Sequence, residues 1–306
     1  MYKLFIILSL VSTSIYAEII TPIKKVESYN VGKVALGKQL FFDKKLSKDG
    51  TISCASCHSD FGSDSRVVSI GVNGQKGVIQ SLSVFNAVNN YKQFWNARAP
   101  SLNSQMDSPI HSAVEMGNSI ENIEQYLKSS KIYNKLFKDV FSKKPSYLLL
   151  KDAIVAFEKT LVTPNSHFDR FLEGKESLTR LEKKGFYLFK NYGCAACHNG
   201  VNVGGNSMQM IGNVVEYPYI KGQSDLYSIT NKEVDKNVFR VPSLRNITKT
   251  APYFHDGSVK TIEGAVGKMA YYNLGMVLED TDIKAIVSFL KTLEGEVPTT
   301  WSSNVR

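Results

Sequence analysis

Cys54-Ala55-Ser56-Cys57-His58 and Cys194-Ala195-Ala196-Cys197-His198 take up all four cysteines of the chain. Each is a C-x-x-C-H haem attachment signature. Two thiols three positions apart can form thioether bonds to the two vinyl groups of one porphyrin, and the adjacent imidazole then reaches the iron as proximal ligand. The competing readings are a pair of zinc half-sites or two disulfides. Zinc sites place Cys and His at other spacings, and a disulfide framework gives no reason for a His directly after each pair.

At 306 residues the chain is long enough for two domains, each with its own core. Its 43% hydrophobic and 21% charged residues are those of an ordinary soluble globular protein. Met1-Tyr2-Lys3, the apolar run Leu4 to Val11 and then Ser12-Thr13-Ser14-Ile15-Tyr16-Ala17 read as a secretory signal, residues 1–17, cleaved after Ala17. An uncleaved membrane anchor competes, but the run falls short of the roughly 20 apolar residues that span a bilayer. Export agrees with covalent haem, which is attached outside the bacterial cytoplasm, and places the protein in the periplasm. The net charge of +9 points to an acidic redox partner or an anionic surface. Nucleic acid is a poor partner, because the lysines are scattered and no recognised binding motif is present.

An internal repeat emerges when the two motifs are aligned. Gly37 to Phe41 precedes the first and Gly185 to Phe189 the second, so in both a small residue and an aromatic share one helix face. The spacing to the first Cys differs, 13 residues from Phe41 to Cys54 and five from Phe189 to Cys194. Each half thus begins like a cytochrome c domain. Thr179 with Glu182 forms a capping box that starts the helix containing Gly185. Ser146 caps a helix with Leu150, Ile154, Phe157 and Leu161 on one face, ending before Pro164. One helical stretch is predicted from Ser119 to Phe141. A last helix, capped by Asp280 or Thr281, carries Ile283, Ile286, Val287, Leu290 and Leu293 and stops at Gly295. The expected fold is mainly α, with two cytochrome c-like domains that each bind one covalent haem c and a boundary near residues 164–178.

Further words in the sequence are specific: Leu40-Phe41-Phe42-Asp43, Phe94-Trp95-Asn96-Ala97-Arg98-Ala99, Val114-Glu115-Met116-Gly117 and Ala251-Pro252-Tyr253-Phe254-His255-Asp256-Gly257. From about Gly32 to Leu293 the chain resembles the bacterial dihaem cytochrome c peroxidase family. The resemblance implies reduction of hydrogen peroxide to water at an N-terminal peroxidatic haem in residues 18–170. Electrons would enter at a C-terminal haem in residues 171–306 from a small donor, a cytochrome c or a copper protein. Cys54, Cys57 and His58 would hold the first haem; Cys194, Cys197, His198 and, opposite it, Met269 the second. Met276 is the next candidate ligand, followed by Met208 or Met210. Glu115 matches the distal acid that moves a proton between the peroxide oxygens, and Gln105 an amide that orients peroxide, against a solvated surface glutamine. Trp95 matches an indole between the haems, against plain core packing. Arg98 would neutralise a propionate, and His255 would lie near a haem or its propionates, against a surface histidine. The resemblance also admits a homodimer.

Two departures stand out. Where many members carry a removable distal histidine this chain has Val72, which implies a peroxidatic haem active without prior reduction of its neighbour. His111 could swing onto the iron instead, though a loop histidine is the simpler reading, and His167 reads as a surface residue. An interdomain calcium usual in the family would use the carbonyls of Thr250 and Pro252, but Gln80 stands where Asn is expected. Two other functions compete: a dihaem electron-transfer cytochrome, and the related oxygenase that matures a protein-derived cofactor. The oxygenase carries a tyrosine ligand at its second haem, whereas Met269 is available here.

Overall fold

The structure, a computed structural model, describes residues 19–302, so the expected signal segment lies outside the described residues. Helix dominates. α1 (Val31–Phe42) and the single turn α2 (Cys54–Cys57) are followed by a long loop-rich stretch. Then come α3 (Leu102–Gln105), α4 (Asp107–His111), α5 (Ile120–Ser129), α6 (Lys131–Phe141) and α7 (Tyr147–Glu158). α8 (His167–Leu172) leads into α9 (Arg180–Asn191) and a second single turn, α10 (Cys194–Cys197). β1 (Met208–Met210), α11 (Tyr227–Thr230) and β2 (Val238–Arg240) precede α12 (Ile262–Leu274), α13 (Asp280–Lys291) and α14 (Thr299–Ser302). β1 and β2 pair antiparallel, with Met208 opposite Arg240.

The repeat read from the two glycines is a repeat of helix crossings. α1 crosses α7 where a Cβ on Gly37 would lie 1.9 Å from the Ala153 carbonyl oxygen, and α9 crosses α13 where a Cβ on Gly185 would lie 1.9 Å from that of Ala285. Only glycine allows so close an approach. One turn on, the Phe41 and Phe157 rings meet at 5.4 Å, and those of Phe189 and Phe289 at 5.1 Å. Ala153 to Phe157 and Ala285 to Phe289 therefore form a second repeated word, which sequence inspection had not paired. Phe41, Phe157 and Phe289 are fully buried, each contributing roughly 1.5–3 kcal/mol of apolar burial.

The same correspondence continues beyond the helices. The Asn86 side chain accepts from the Thr163 backbone N–H at 2.8 Å, and the Asn246 side chain from that of Gly295 at 2.9 Å. Both asparagines take the left-handed conformation that Asn tolerates. Gln93 pairs with Ala99 around a turn in which Phe94 has φ of 70°, and Tyr253 pairs with Val259 around one in which Phe254 has φ of 71°. Trp95 and His255 are thus equivalent residues of the two halves.

The capping box at Thr179 forms, with the Thr179 N–H donating to Glu182 at 2.7 Å, and Ser146 caps α7. The stretch predicted as one helix from Ser119 to Phe141 is two, because Ser130 ends α5 and its hydroxyl caps α6 by accepting from Tyr133. α13, the helix expected to be the last, is preceded by Glu279, without a side-chain cap, rather than by Asp280 or Thr281. Its C-cap is Thr292, three residues before Gly295.

Among the described residues the two largest hydrophobic clusters run from Val34 to Leu161 and from Phe168 to Leu293, and a smaller one gathers Trp95, Tyr217 and Phe239 with Tyr272 against them. Each end of the described chain packs on the other half. Ile20 joins the second cluster and the Thr21 carbonyl accepts from Arg245 at 2.9 Å, while Trp301 sits against Phe41, Phe85 and Phe157 in the first.

Candidate functional site

Both attachment motifs fold as one helical turn that delivers the histidine at its end, closed by the His58 N–H on the Cys54 carbonyl at 3.0 Å and the His198 N–H on that of Cys194 at 2.9 Å. His58 Nδ1 lies 3.1 Å from the Gly62 carbonyl and His198 Nδ1 3.4 Å from that of Val203. A carbonyl only accepts, so Nδ1 carries the proton and Nε2 keeps a free lone pair for a metal. Burial lowers the pKa of both rings, that of His198 to about 4, which keeps them neutral as ligands must be. Burial also pushes the thiols up, Cys54 to about 12 and Cys57 and Cys194 to about 11. None of the four cysteines forms a disulfide.

Each motif opens onto a cavity. The first, about 460 Å³, is bounded by Cys54, Cys57 and His58 and also by Trp95, Arg98, Gln105 and Glu115. The second, about 250 Å³, is bounded by Cys194, Cys197 and His198 together with Met269 and His255. Trp95 and Arg240 wall both, so the two spaces adjoin. Arg240 is 2% exposed and its Nη1 has no partner, although burial lowers its guanidinium to about 10. A buried cation left without an anion between two such cavities fits the propionates of two porphyrins. Arg245, also buried, lines the second cavity and pairs with Asp169 at 2.8 Å.

Around the first cavity, Glu115 lies in the loop after α4, where burial raises its carboxyl above the usual range while Ser112 and Arg98 pull it down. Arg98 stacks on Phe94, its guanidinium carbon 3.4 Å from the ring centroid, and donates to Ser108 at 2.9 Å. Gln105 ends α3 at the wall, and Met106 and Met116 reach it from the first hydrophobic cluster. No histidine other than His58 lines this cavity. Val72 is 2% exposed and absent from the wall; its N–H donates to the Glu115 carbonyl at 2.8 Å and its side chain presses on Gly117. His111 is likewise off the wall, exposed, with Nδ1 2.9 Å from the Asn118 carbonyl. His167 is a half-exposed residue 3.5 Å from Glu176 and Glu182.

At the second cavity, Met269 projects from α12, with Met210 also on the wall and Met208 and Met276 off it. His255 is not a surface residue. It is 2% exposed, stacked on Phe239 at 4.2 Å, with Nε2 2.9 Å from Gln223 Oε1. Gln223 is held in turn by Asp225 and Asn237, a buried polar cluster not anticipated from sequence. Glu158 was also missed. It lines the first cavity with Oε2 unpartnered, and burial raises its carboxyl to about 8.

At the position expected for calcium, Gln80 Nε2 donates to the Pro252 carbonyl at 2.5 Å. Among the described residues no group of three or more His, Cys, Asp or Glu could hold a metal ion.

Residues 32–177 match the family model described as di-haem cytochrome c peroxidase, and residues 182–294 that of cytochrome c. The chain is 44% identical over 285 residues to the cytochrome c551 peroxidase of Nitrosomonas europaea, covering 92% of this chain and 85% of that one. It is 41% identical to the cytochrome c peroxidase Ccp of Escherichia coli, covering 91% of this chain and 61% of that one. Among solved structures it resembles a MauG-like protein associated with microbial copper homeostasis, with a TM-score of 0.82 at 28% identity, covering 94% and 97% of the two chains. With two adjoining cavities, a C-x-x-C-H motif at each and these relatives across nearly its whole length, the chain belongs to the di-haem cytochrome c peroxidase family.

Proposed function

We propose that this chain reduces hydrogen peroxide to water at the His58 site, with electrons entering through the His198 and Met269 site from a small periplasmic donor, a cytochrome c or a copper protein. The observation that carries this reading is Glu115, a carboxyl shifted upward by burial on the wall of the cavity that opens onto His58. Held by Cys54, Cys57 and His58, a haem would supply the redox-active iron and the electrons for cleaving the peroxide O–O bond. Glu115 takes a proton from one peroxide oxygen and returns it to the other, so that water departs. Gln105 orients peroxide, and Arg98 faces a propionate while moderating Glu115. Trp95, walling both cavities, holds its indole N–H on the Gln80 carbonyl at 2.8 Å and bridges the two sites for electrons. Among the described residues no helix is long and apolar enough to cross a membrane.

Valine cannot ligate iron, and Val72 is packed away from the cavity, so the oxidised enzyme is ready for peroxide without prior reduction of the second haem. The direct Gln80–Pro252 link takes the place of the family's calcium. The test is peroxide turnover with a reduced small cytochrome, comparing the fully oxidised enzyme with its half-reduced form. Equal turnover is expected, with five-coordinate or water-bound haem in the oxidised spectrum. Six-coordinate low-spin haem alone, or turnover only after reduction, overturns the account of Val72, and Glu115→Gln turning over at the parent rate overturns the role of Glu115.

A further inference from the structure

At the two helix crossings the packed rings include Phe41, Phe85 and Phe157 around Trp301 in one half and Phe168, Phe186 and Phe289 in the other. These phenylalanine rings resist one-electron oxidation. The cluster around Trp95 differs, because it leads away from the two cavities through tyrosines. Trp95 meets His255 at 6.3 Å, His255 meets Tyr217 at 5.8 Å, Tyr217 meets Tyr272 at 4.8 Å and Tyr272 meets Tyr271 at 5.2 Å. Tyr217 is 5% exposed, whereas Tyr271 is 44% exposed, so the series starts between the cavities and ends in water.

Oxidising a phenol at an accessible potential requires its proton to leave with the electron. Burial raises the Tyr217 phenol to about 12, so it is protonated at working pH. Its hydroxyl donates to Asp256 Oδ2 at 3.0 Å, a carboxylate placed to take that proton and return it on re-reduction. At the exposed Tyr271 and the half-buried Tyr272, water takes the proton and returns it.

We propose that Tyr217, Tyr272 and Tyr271 form a redox chain from Trp95 to the surface, making Tyr271 a second oxidation site for small phenolic reductants when no donor protein is bound. The proposal rests on the peroxidase reading above. Each peroxide needs two electrons and two protons; two phenol molecules each lose one electron through the chain and one proton to water, leaving two phenoxyl radicals and two waters.

The experiment uses the holoenzyme with peroxide and guaiacol, without donor protein, in parallel with turnover of a reduced small cytochrome. Tyr271→Phe and Tyr272→Phe keep the rings and remove the phenols. Both are expected to lose most guaiacol oxidation while turning over the cytochrome like the parent. A radical trap followed by peptide mass spectrometry is expected to label Tyr271 in the parent and not in Tyr272→Phe. Guaiacol oxidation unchanged in Tyr271→Phe, or an unlabelled Tyr271, overturns the chain while cytochrome turnover persists. Loss of cytochrome turnover in the parent enzyme is the separate result that sinks the peroxidase reading.

Discussion

Gln80 reaches across to Pro252 and donates its amide N–H to that carbonyl at 2.5 Å, while its own carbonyl accepts the Trp95 indole N–H at 2.8 Å. One residue thereby ties the loop before Trp95 to the loop before His255, whose carbonyl accepts the Gln80 N–H at 2.8 Å. A chelator is therefore expected to leave both melting temperature and peroxide turnover unchanged. Gln80→Asn, shorter by one methylene, should fail to span the gap and make the melting temperature rise with added calcium. A chelator-induced fall in the parent's melting temperature would refute this.

The crossings at Gly37 and Gly185 predict a sharp steric penalty. Alanine at either places a methyl group inside the facing carbonyl, and overpacking of this kind costs about 3 kcal/mol. Chemical denaturation of Gly37→Ala and Gly185→Ala should show that loss. Alanine at Gly50, where nothing lies within 4 Å, serves as a control for the packing effect, though its φ of 72° carries its own small strain.

Because Glu115 must start as a carboxylate to take a proton, turnover should fall as pH drops through its pKa. Burial sets that point above the ordinary carboxylate range, so the acid limb should lie at higher pH than for a solvated glutamate. Glu115→Gln should lose roughly 10²–10⁴-fold in turnover while keeping both haems. The pH profile of turnover and a haem count per chain check both statements.

Glu158 gives a stability signature of opposite form. Its carboxyl is raised to about 8 in the fold from an unfolded value near 4.5, so the folded state holds the extra proton between those limits. Folding stability should decline as pH rises through that interval, by up to about 5 kcal/mol when the shift is converted directly. Denaturation of Glu158→Gln should show a flatter pH dependence, and a parent-like decline in the variant would show that other groups are responsible.

The haem motifs, the glycine-to-phenylalanine word and the Ser146 and Thr179 caps were legible because each depends on spacing along one segment. Glu115, Gln105, Arg98 and Trp95 were reached through resemblance, and the fold brings them to the wall of one cavity. Arg240, Glu158 and the Gln223 cluster were not legible, since their meaning lies in burial without a partner or with partners distant in sequence. The break between α5 and α6 was missed because an apolar stripe continues through Ser130 while the serine itself serves both as an end and as a cap.

The crossed ends of the chain act as a clasp. Ile20 is fastened in one lobe and Trp301 in the other, so a cut between the lobes would strip each of a plug supplied from the far side. Fragments bearing a single porphyrin should consequently expose the greasy seat of the missing plug and associate, and neither lobe is an excisable module.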